Sequence, residues 1–179
     1  MMKLTSTACV LAVWLALAGA AGAQQAGAPA GNPVEVVSDK TPFATPYGAP
    51  IALAHARETI DAAMAEAAKR GWAMNVAVVD SGGNLVAFAH MDGAHLAGVA
   101  IAEHKARAAS IFRRPTKVFE DAVQKSDNVA VPTLDGVVAL RGGIPLIEEG
   151  KLIGAIGCAG GTGSQDEAAR QAGAATINK

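Results

Sequence analysis

The chain has 179 residues, with 15 lysine and arginine side chains against 16 aspartate and glutamate side chains and a formal net charge of −1. This balance does not favour a nucleic-acid-binding surface, which requires a basic patch for the phosphates. Aromatic residues make up only 4% of the chain, which argues against a surface that stacks sugars. The abundance of alanine and glycine predicts elements that pack closely through small side chains.

The N-terminus has the pattern of a secretory signal peptide. Lys3 precedes an apolar run from Ala8 to Ala18, and Ala21-Gly22-Ala23 fits the small-residue cleavage site. The run is shorter than the roughly 20 apolar residues of a membrane-spanning helix, so we predict a signal peptide over residues 1–23 rather than a retained anchor. The mature protein would then be periplasmic or secreted, without membrane contact. Cys158 would be its single cysteine, which excludes an internal disulfide.

Residues 24–48 are predicted to form an extended arm or linker, because prolines recur there among alanine and glycine. A helix is expected to begin near Pro50, since proline suits a first helical turn, and to end at Gly71. His55 and Glu58 lie on its polar side, one helical turn apart. That side is either solvated or the edge of a metal or ligand site.

The stretch from Met74 to Phe112 predicts a β-hairpin followed by a helix. Apolar residues alternate on both sides of the turn Ser81-Gly82-Gly83-Asn84, which is typical of two antiparallel strands. After Gly93 the apolar spacing changes to three and four, which indicates a helix. Three of the four histidines lie in or beside this stretch, namely His90, His95 and His104.

The remaining chain predicts two more helices and three short strands. Thr116 is expected to cap a helix that ends at Ser126. Ser164 and Glu167 have the spacing of a capping box for a final helix that ends near Ile177. Between these helices, three apolar stretches separated by glycine turns are predicted strands, Val137 to Leu140, Ile144 to Ile147 and Leu152 to Cys158.

The predicted order of elements is helix, two strands, two helices, three strands and helix. Hairpin connections dominate this order, so the predicted fold class is α+β, with an antiparallel sheet of about five strands covered by helices. Residues 49–179 are expected to form one domain of this kind. Such a domain is long enough to bury a core without disulfides.

The sequence contains no G-x-S-x-G, H-E-x-x-H or P-loop motif. His104 falls with alanine and isoleucine on a mainly apolar stripe of the central helix, where a neutral imidazole is either an iron ligand or a packed or interfacial side chain. Glu103 and Arg107 beside it have the spacing of an i, i+4 ion pair. Cys158 is expected to be a small buried thiol.

The chain resembles the GlcG/HbpS family of haem-binding proteins, whose relatives include the C-terminal domain of certain corrinoid adenosyltransferases. The resemblance covers about Ile51 to Ile177, and its first matching stretches are Val76 to Leu85 and His90 to Ala94. The others are Ile101 to Ala106, Ala108-Ala109, Pro115-Thr116, Gly142-Gly143, Gly154 to Gly157 and Asp166 to Ala175. The resemblance implies a profilin-like fold and assembly into a homo-oligomer, often an octamer.

The same resemblance implies haem binding and, in some members, haem breakdown or iron capture. In one branch the haem ligand is a histidine on the first helix, a position that only His55 matches here. Another branch implicates a threonine before the third strand, which points to Thr133. Some members hold iron with two carboxylates three residues apart. Glu103 matches the second position while Ala100 stands at the first, and this departure argues against iron storage.

We therefore predict an exported, oligomeric haem-binding protein that acts in haem or iron sequestration or in haem breakdown. His55 and His104 are its candidate haem ligands, and His55 and Glu103 its candidate metal ligands. An alternative is a protein that binds a small organic acid or a corrinoid-related cofactor, with Lys105 or Arg107 pairing a ligand carboxylate. A third alternative is an oligomeric stress-response partner whose small-residue helices pack between subunits.

Overall fold

The computed structural model describes residues 45–178. The elements in chain order are α1 (Leu53–Lys69), β1 (Asn75–Asp80), β2 (Leu85–His90), α2 (Gly98–Ile111), α3 (Lys117–Ser126), a short 3-10 helix (Val131–Thr133), β3 (Gly143–Glu148), β4 (Lys151–Ala159) and α4 (Gly163–Ala174). No helix in this part of the chain is both long and apolar enough to cross a membrane. The predicted signal peptide and most of the predicted arm lie outside the described residues.

The strands form one antiparallel sheet in the order β2-β1-β4-β3. Val76 of β1 lies opposite Ala89 of β2 and Cys158 of β4. This sheet confirms the predicted α+β class. The predicted strand from Val137 to Leu140 is wrong, because this stretch pairs with no strand of the described chain. The sheet therefore has four strands where about five were expected.

Helices cover both faces of the sheet. α1 and α4 pack against one face, and α2 packs against the other, mainly on β4 and β1. The side chains of β1 alternate accordingly. Val76 and Val78 join the core under α1 and α4, whereas Ala77 and Val79 join the core under α2. The period of two in a strand thus determines which helix each side chain contacts.

α2 lies close to the sheet because small residues face each other there. A Cβ atom added to Gly157 of β4 would sit 2.2 Å from the carbonyl oxygen of Ala102 in α2, so a larger residue would push the helix away. Ala106 and Ala109 complete the contact surface of the helix. The glycine of β4 and the alanines of α2 therefore allow this close packing of helix on sheet.

The N-terminus of α4 is capped by a pair of residues that differs from the predicted pair. The Thr162 hydroxyl accepts a hydrogen bond from the Gln165 N–H, and the Gln165 side chain accepts one from the Thr162 N–H. Thr162 and Gln165 thus form the capping box, and the prediction of Ser164 and Glu167 is wrong. Two polar pairs with the same spacing of three occur within six residues, and the helix begins two residues earlier than the predicted cap requires.

Two polar links attach α3 to the rest of the domain. The Gly143 N–H donates to Thr116 Oγ1 at 3.0 Å, so Thr116 joins α3 to β3 instead of capping the helix as predicted. The Glu120 carboxylate accepts the Arg141 N–H at 2.6 Å and the Arg141 Nε–H at 2.8 Å. The side-chain hydrogen bonds from Arg141 hold the pKa of Glu120 below its ordinary value, against the opposing effect of burial.

Candidate functional site

His55 lies in the first turn of α1, on the side of the helix that faces away from the core. α1 turns Ala56, Ile60 and Ala63 toward the sheet. His55 and Glu58 therefore point outward, and both are exposed. The helical spacing that buries the alanine face also places the imidazole and the carboxylate one turn apart on the surface.

His55 and Glu58 line an open pocket of about 360 Å³. The other walls come from the end of β3, the β3–β4 turn and the segment after α4, and they are Ile147, Glu148, Glu149, Thr176 and Ile177. The Thr176 hydroxyl is occupied, because it donates to Gly173 O at 2.8 Å and lies 2.9 Å from Thr59 Oγ1. The groups offered to a ligand are thus an imidazole, three carboxylates and two isoleucine side chains.

This combination fits the edge of a haem. A neutral imidazole is an iron ligand, and Ile147 and Ile177 offer apolar contact to a porphyrin ring. The carboxylates repel haem propionates, so the propionates would have to point out of the pocket. The volume lies at the low end of the roughly 300–1,000 Å³ of ligand pockets, so another surface would have to cover the rest of the ring.

His104 lies in a second pocket, of about 340 Å³, between α2 and the β1–β2 turn. Its walls are Val79, Gly83, Asn84, Leu85, Glu103, His104 and Arg107. His104 and Arg107 are exposed, and Arg107 Nη1 donates to Gly83 O over a long 3.4 Å. α2 buries Ala102 and Ala106 instead. The alternative of a packed His104 is therefore wrong, whereas an iron-binding or interfacial role stays a prediction.

A third pocket, of about 520 Å³, lies between α1 and the edge strand β2. It is lined by Leu53, Arg57, Ile60, Asp61, Val86, Ala87, Phe88 and Ala89. No candidate residue from the sequence lies in this pocket. Apolar residues of an edge strand have the same sequence pattern as core residues, so no signal in the sequence distinguishes this groove from the interior.

Lys105 is buried, with 2% of its surface exposed. Its Nζ donates to Asp166 Oδ2 at 2.7 Å and to Cys158 O at 3.1 Å. The ammonium group is thus part of the interior, which does not favour the prediction that Lys105 pairs a ligand carboxylate. Arg107 is the exposed cation suited to that role. Burial raises the pKa of the Cys158 thiol, in agreement with the expected buried thiol.

Thr133 ends the 3-10 helix and is exposed. Its hydroxyl donates to Ala130 O at 2.7 Å, which leaves the oxygen as an acceptor. Val129 before the 3-10 helix and Leu134 after it are exposed apolar side chains, at 75% and 52% of their surface. The role of Thr133 in haem contact stays a prediction.

The candidate residues are not gathered into one site. His55 lies on α1 and Glu103 lies on α2, and these helices pack against opposite faces of the sheet. The structure therefore does not bring the two predicted metal ligands together. Within residues 45–178 no group of three or more histidine, cysteine, aspartate or glutamate side chains is placed to hold a metal ion.

Comparison with known proteins adds the family. The model of the HbpS-like family, described as haem degrading protein HbpS-like, matches residues 51–175. Protein GlcG of Escherichia coli is 38% identical to this chain over 98 residues, which are 55% of this chain and 72% of GlcG. The resemblance expected from the sequence motifs is thereby confirmed.

Two solved structures have a similar fold. A double mutant of HbpS from Streptomyces reticuli aligns with a TM-score of 0.67 and 29% identity, over 80% of this chain and 97% of that one. A complex of PduOC with haem aligns with a TM-score of 0.65 and 27% identity, over 72% and 96% of the two chains. Because the family model matches residues 51–175 and the fold is shared with these structures, the chain belongs to the HbpS-like family.

Proposed function

We propose that the protein binds haem and that His55 supplies a ligand to the iron. The observation that carries the proposal is the position of His55, an exposed imidazole in an open pocket with isoleucine walls. Two comparisons support haem as the ligand, since the family model is described as haem degrading and the structural neighbour PduOC has been solved with haem. When bound, haem supplies an iron centre that accepts a neutral nitrogen ligand.

The residues of this pocket have distinct tasks. His55 must be neutral to offer a lone pair to iron. Ile147 and Ile177 would exclude water from one edge of a bound ring. Glu58, Glu148 and Glu149 would direct the negatively charged propionates away from the pocket, because like charges at short distance repel.

We also propose that a second copy of the chain covers the exposed part of the haem. The His55 pocket is open and small, so one chain buries only part of a porphyrin. Assembly into a homo-oligomer would remove the remaining ring surface from water, which is favourable for an apolar ligand. Light scattering with and without haemin measures whether the oligomer depends on the ligand.

Export to the periplasm or the medium belongs to the same proposal. It rests on Lys3, on the apolar run that follows and on the small residues before Gln24. Mass spectrometry of the protein recovered outside the cytoplasm should give a chain that begins at Gln24. Recovery of the uncleaved chain from the cytoplasm would contradict export.

Haemin titration of variants tests the ligand. His55→Ala should raise the Kd for haemin at least tenfold, because the strong iron ligand is lost. His104→Ala is the matched control, since His104 is also exposed on a helix but lies in the other pocket, and it should leave the Kd unchanged. Equal affinity of His55→Ala and the unmodified protein would contradict the assignment of His55.

A small organic acid in the His104 pocket is the second candidate function. The observation in its favour is Arg107, an exposed guanidinium held by a long hydrogen bond to Gly83 O beside an exposed imidazole. A guanidinium group forms bidentate hydrogen bonds with a carboxylate. In a thermal-shift assay with a panel of small organic acids, the true ligand should raise the melting temperature of the protein by an amount that increases with its affinity and concentration. Arg107→Gln should abolish this increase. Stabilisation by haemin and by no organic acid would exclude this function.

A further inference from the structure

Asn75 begins β1 and is buried between β2 and the start of α2. Its Nδ2 group donates to Ala159 O at 3.1 Å and to His95 O at 3.2 Å, and its Oδ1 lies 2.6 Å from Nδ1 of His90. The opposite amide orientation would set Oδ1 against two carbonyl oxygens, which have no hydrogen to donate. The backbone therefore determines the orientation of this amide.

The amide orientation determines where the His90 ring carries its proton. An amide oxygen only accepts hydrogen bonds, so Nδ1 of His90 must be the donor. In the neutral ring the lone pair then lies on Nε2, on the far side of the ring from Asn75. His90 is the last residue of the edge strand β2 and is exposed. This lone pair is thus accessible to a ligand.

His95 has the opposite arrangement. Its Nδ1 accepts the Gly98 N–H at 3.0 Å, so a neutral His95 carries its hydrogen on Nε2 and has no lone pair there. Both histidines contact Asn75, one through its ring and the other through its carbonyl oxygen. Of these two rings, His90 presents a nitrogen ready for coordination, and His95 is its matched control.

The contact with Asn75 suits His90 to bind a metal, and Phe88 is the apolar side chain nearest to it along β2 on the same side. A ring N–H held by a second residue orients histidine ligands of metals and raises their basicity. Phe88 lies two residues before His90, on the same side of β2, and packs half-buried against the α2 core.

We infer that Nε2 of His90 is a second coordination site for haem iron, on the face of the sheet opposite the His55 pocket. The inference rests on the proposed function for the identity of the ligand. The proton position of His90 is independent of that function, because it follows from the contact with Asn75 in the haem-free protein.

The test removes the first site and asks what remains. Haemin is titrated into the full-length protein, into His55→Ala, and into His55→Ala combined with either His90→Asn or His95→Asn. The His90→Asn side chain keeps a donor at the position of Nδ1 and lacks Nε2, so the contact with Asn75 survives. We expect His55→Ala to retain a weaker saturable Soret shift. Adding His90→Asn should raise the Kd of that residual binding at least tenfold, whereas His95→Asn should leave it unchanged.

The outcomes separate this inference from the proposed function. If His55→Ala abolishes all haemin binding, or if both double variants keep the same residual shift, His90 is not a ligand and the proposed function stands. If the unmodified protein gives no Soret shift, the proposed function fails, and haem is also excluded as the ligand of His90. Nitrogen-15 NMR of the haem-free protein adds an independent measurement. Hydrogen on Nδ1 of His90 is expected, and hydrogen on Nε2 would overturn the assignment.

Discussion

The Lys105 ammonium group on α2 lies 2.7 Å from the Asp166 carboxylate on α4, and both side chains are buried. Lys105 also donates to Cys158 O on β4, and Asp166 Oδ1 accepts the N–H groups of Gly160 and Gly161. These bonds join a helix on each face of the sheet to the inner strand β4 and to the two glycines that follow it. The pair of Lys105 and Asp166 therefore fixes the positions of α2 and α4 relative to the sheet, next to the alanine residues through which α2 packs.

Breaking this pair on one side should destabilise the domain strongly. Lys105→Met leaves Asp166 as an unpaired buried charge, so we expect the free energy of unfolding to fall by about 3–5 kcal/mol. Lys105→Met combined with Asp166→Asn should recover most of this loss, because no unpaired charge remains and the asparagine amide oxygen still accepts the Gly160 and Gly161 N–H groups. Urea unfolding measures both variants. A single variant as stable as the unmodified protein would show that the pair does not join the layers.

Glu120 should contribute to the pH dependence of stability. Its folded pKa is below the ordinary value of 4.5 because Arg141 hydrogen-bonds to the carboxylate. The pair therefore stabilises the fold above pH 4.5, and this contribution is lost as the pH falls through the folded pKa. Between neutral pH and pH 3, the urea midpoint of Glu120→Gln should fall less than that of the unmodified protein. Arg141→Gln should reduce the pH dependence of the urea midpoint in the same way. An equal pH dependence in the variants and the unmodified protein would contradict the contribution of this pair.

The thiol of Cys158 should be inert in the folded protein. Burial raises its pKa, so almost no thiolate, the reactive form, is present at neutral pH. In a Cys9→Ser background, where Cys158 is the single thiol, a disulfide reagent should react at the rate of unfolding, and urea should accelerate the reaction. Immediate reaction in buffer would show that the strand opens locally.

The helices and the hairpin could be predicted from the sequence because their signals are local. The helix expected from Pro50 to Gly71 is observed as Leu53–Lys69. Its apolar residues recur every three or four positions over several turns, which is a local pattern. The run from Val137 to Leu140 shows the limit of local signals. Its β-branched residues favour a strand, but a strand also needs a partner, and the described sheet offers none.

The site could be predicted only in part. A lysine in a helix is ordinarily exposed. Lys105 is buried instead, where it pairs with Asp166, 61 residues further along the chain. The contact between His90 and Asn75 follows from the register of a hairpin whose existence was predicted. The orientation of the Asn75 amide depends on the Ala159 carbonyl, 84 residues away. Contacts between residues so far apart in the chain leave no recognisable pattern in a single sequence.

Haem binding through a neutral imidazole is tested most directly by titrating haemin into the unmodified protein at neutral pH and recording the Soret band. We expect a shifted band that saturates at a fixed ratio of haemin to chain and weakens on acidification, because a protonated imidazole has no lone pair for iron. An absorbance that rises linearly at the position of free haemin, without saturation at any pH, would contradict the proposed function.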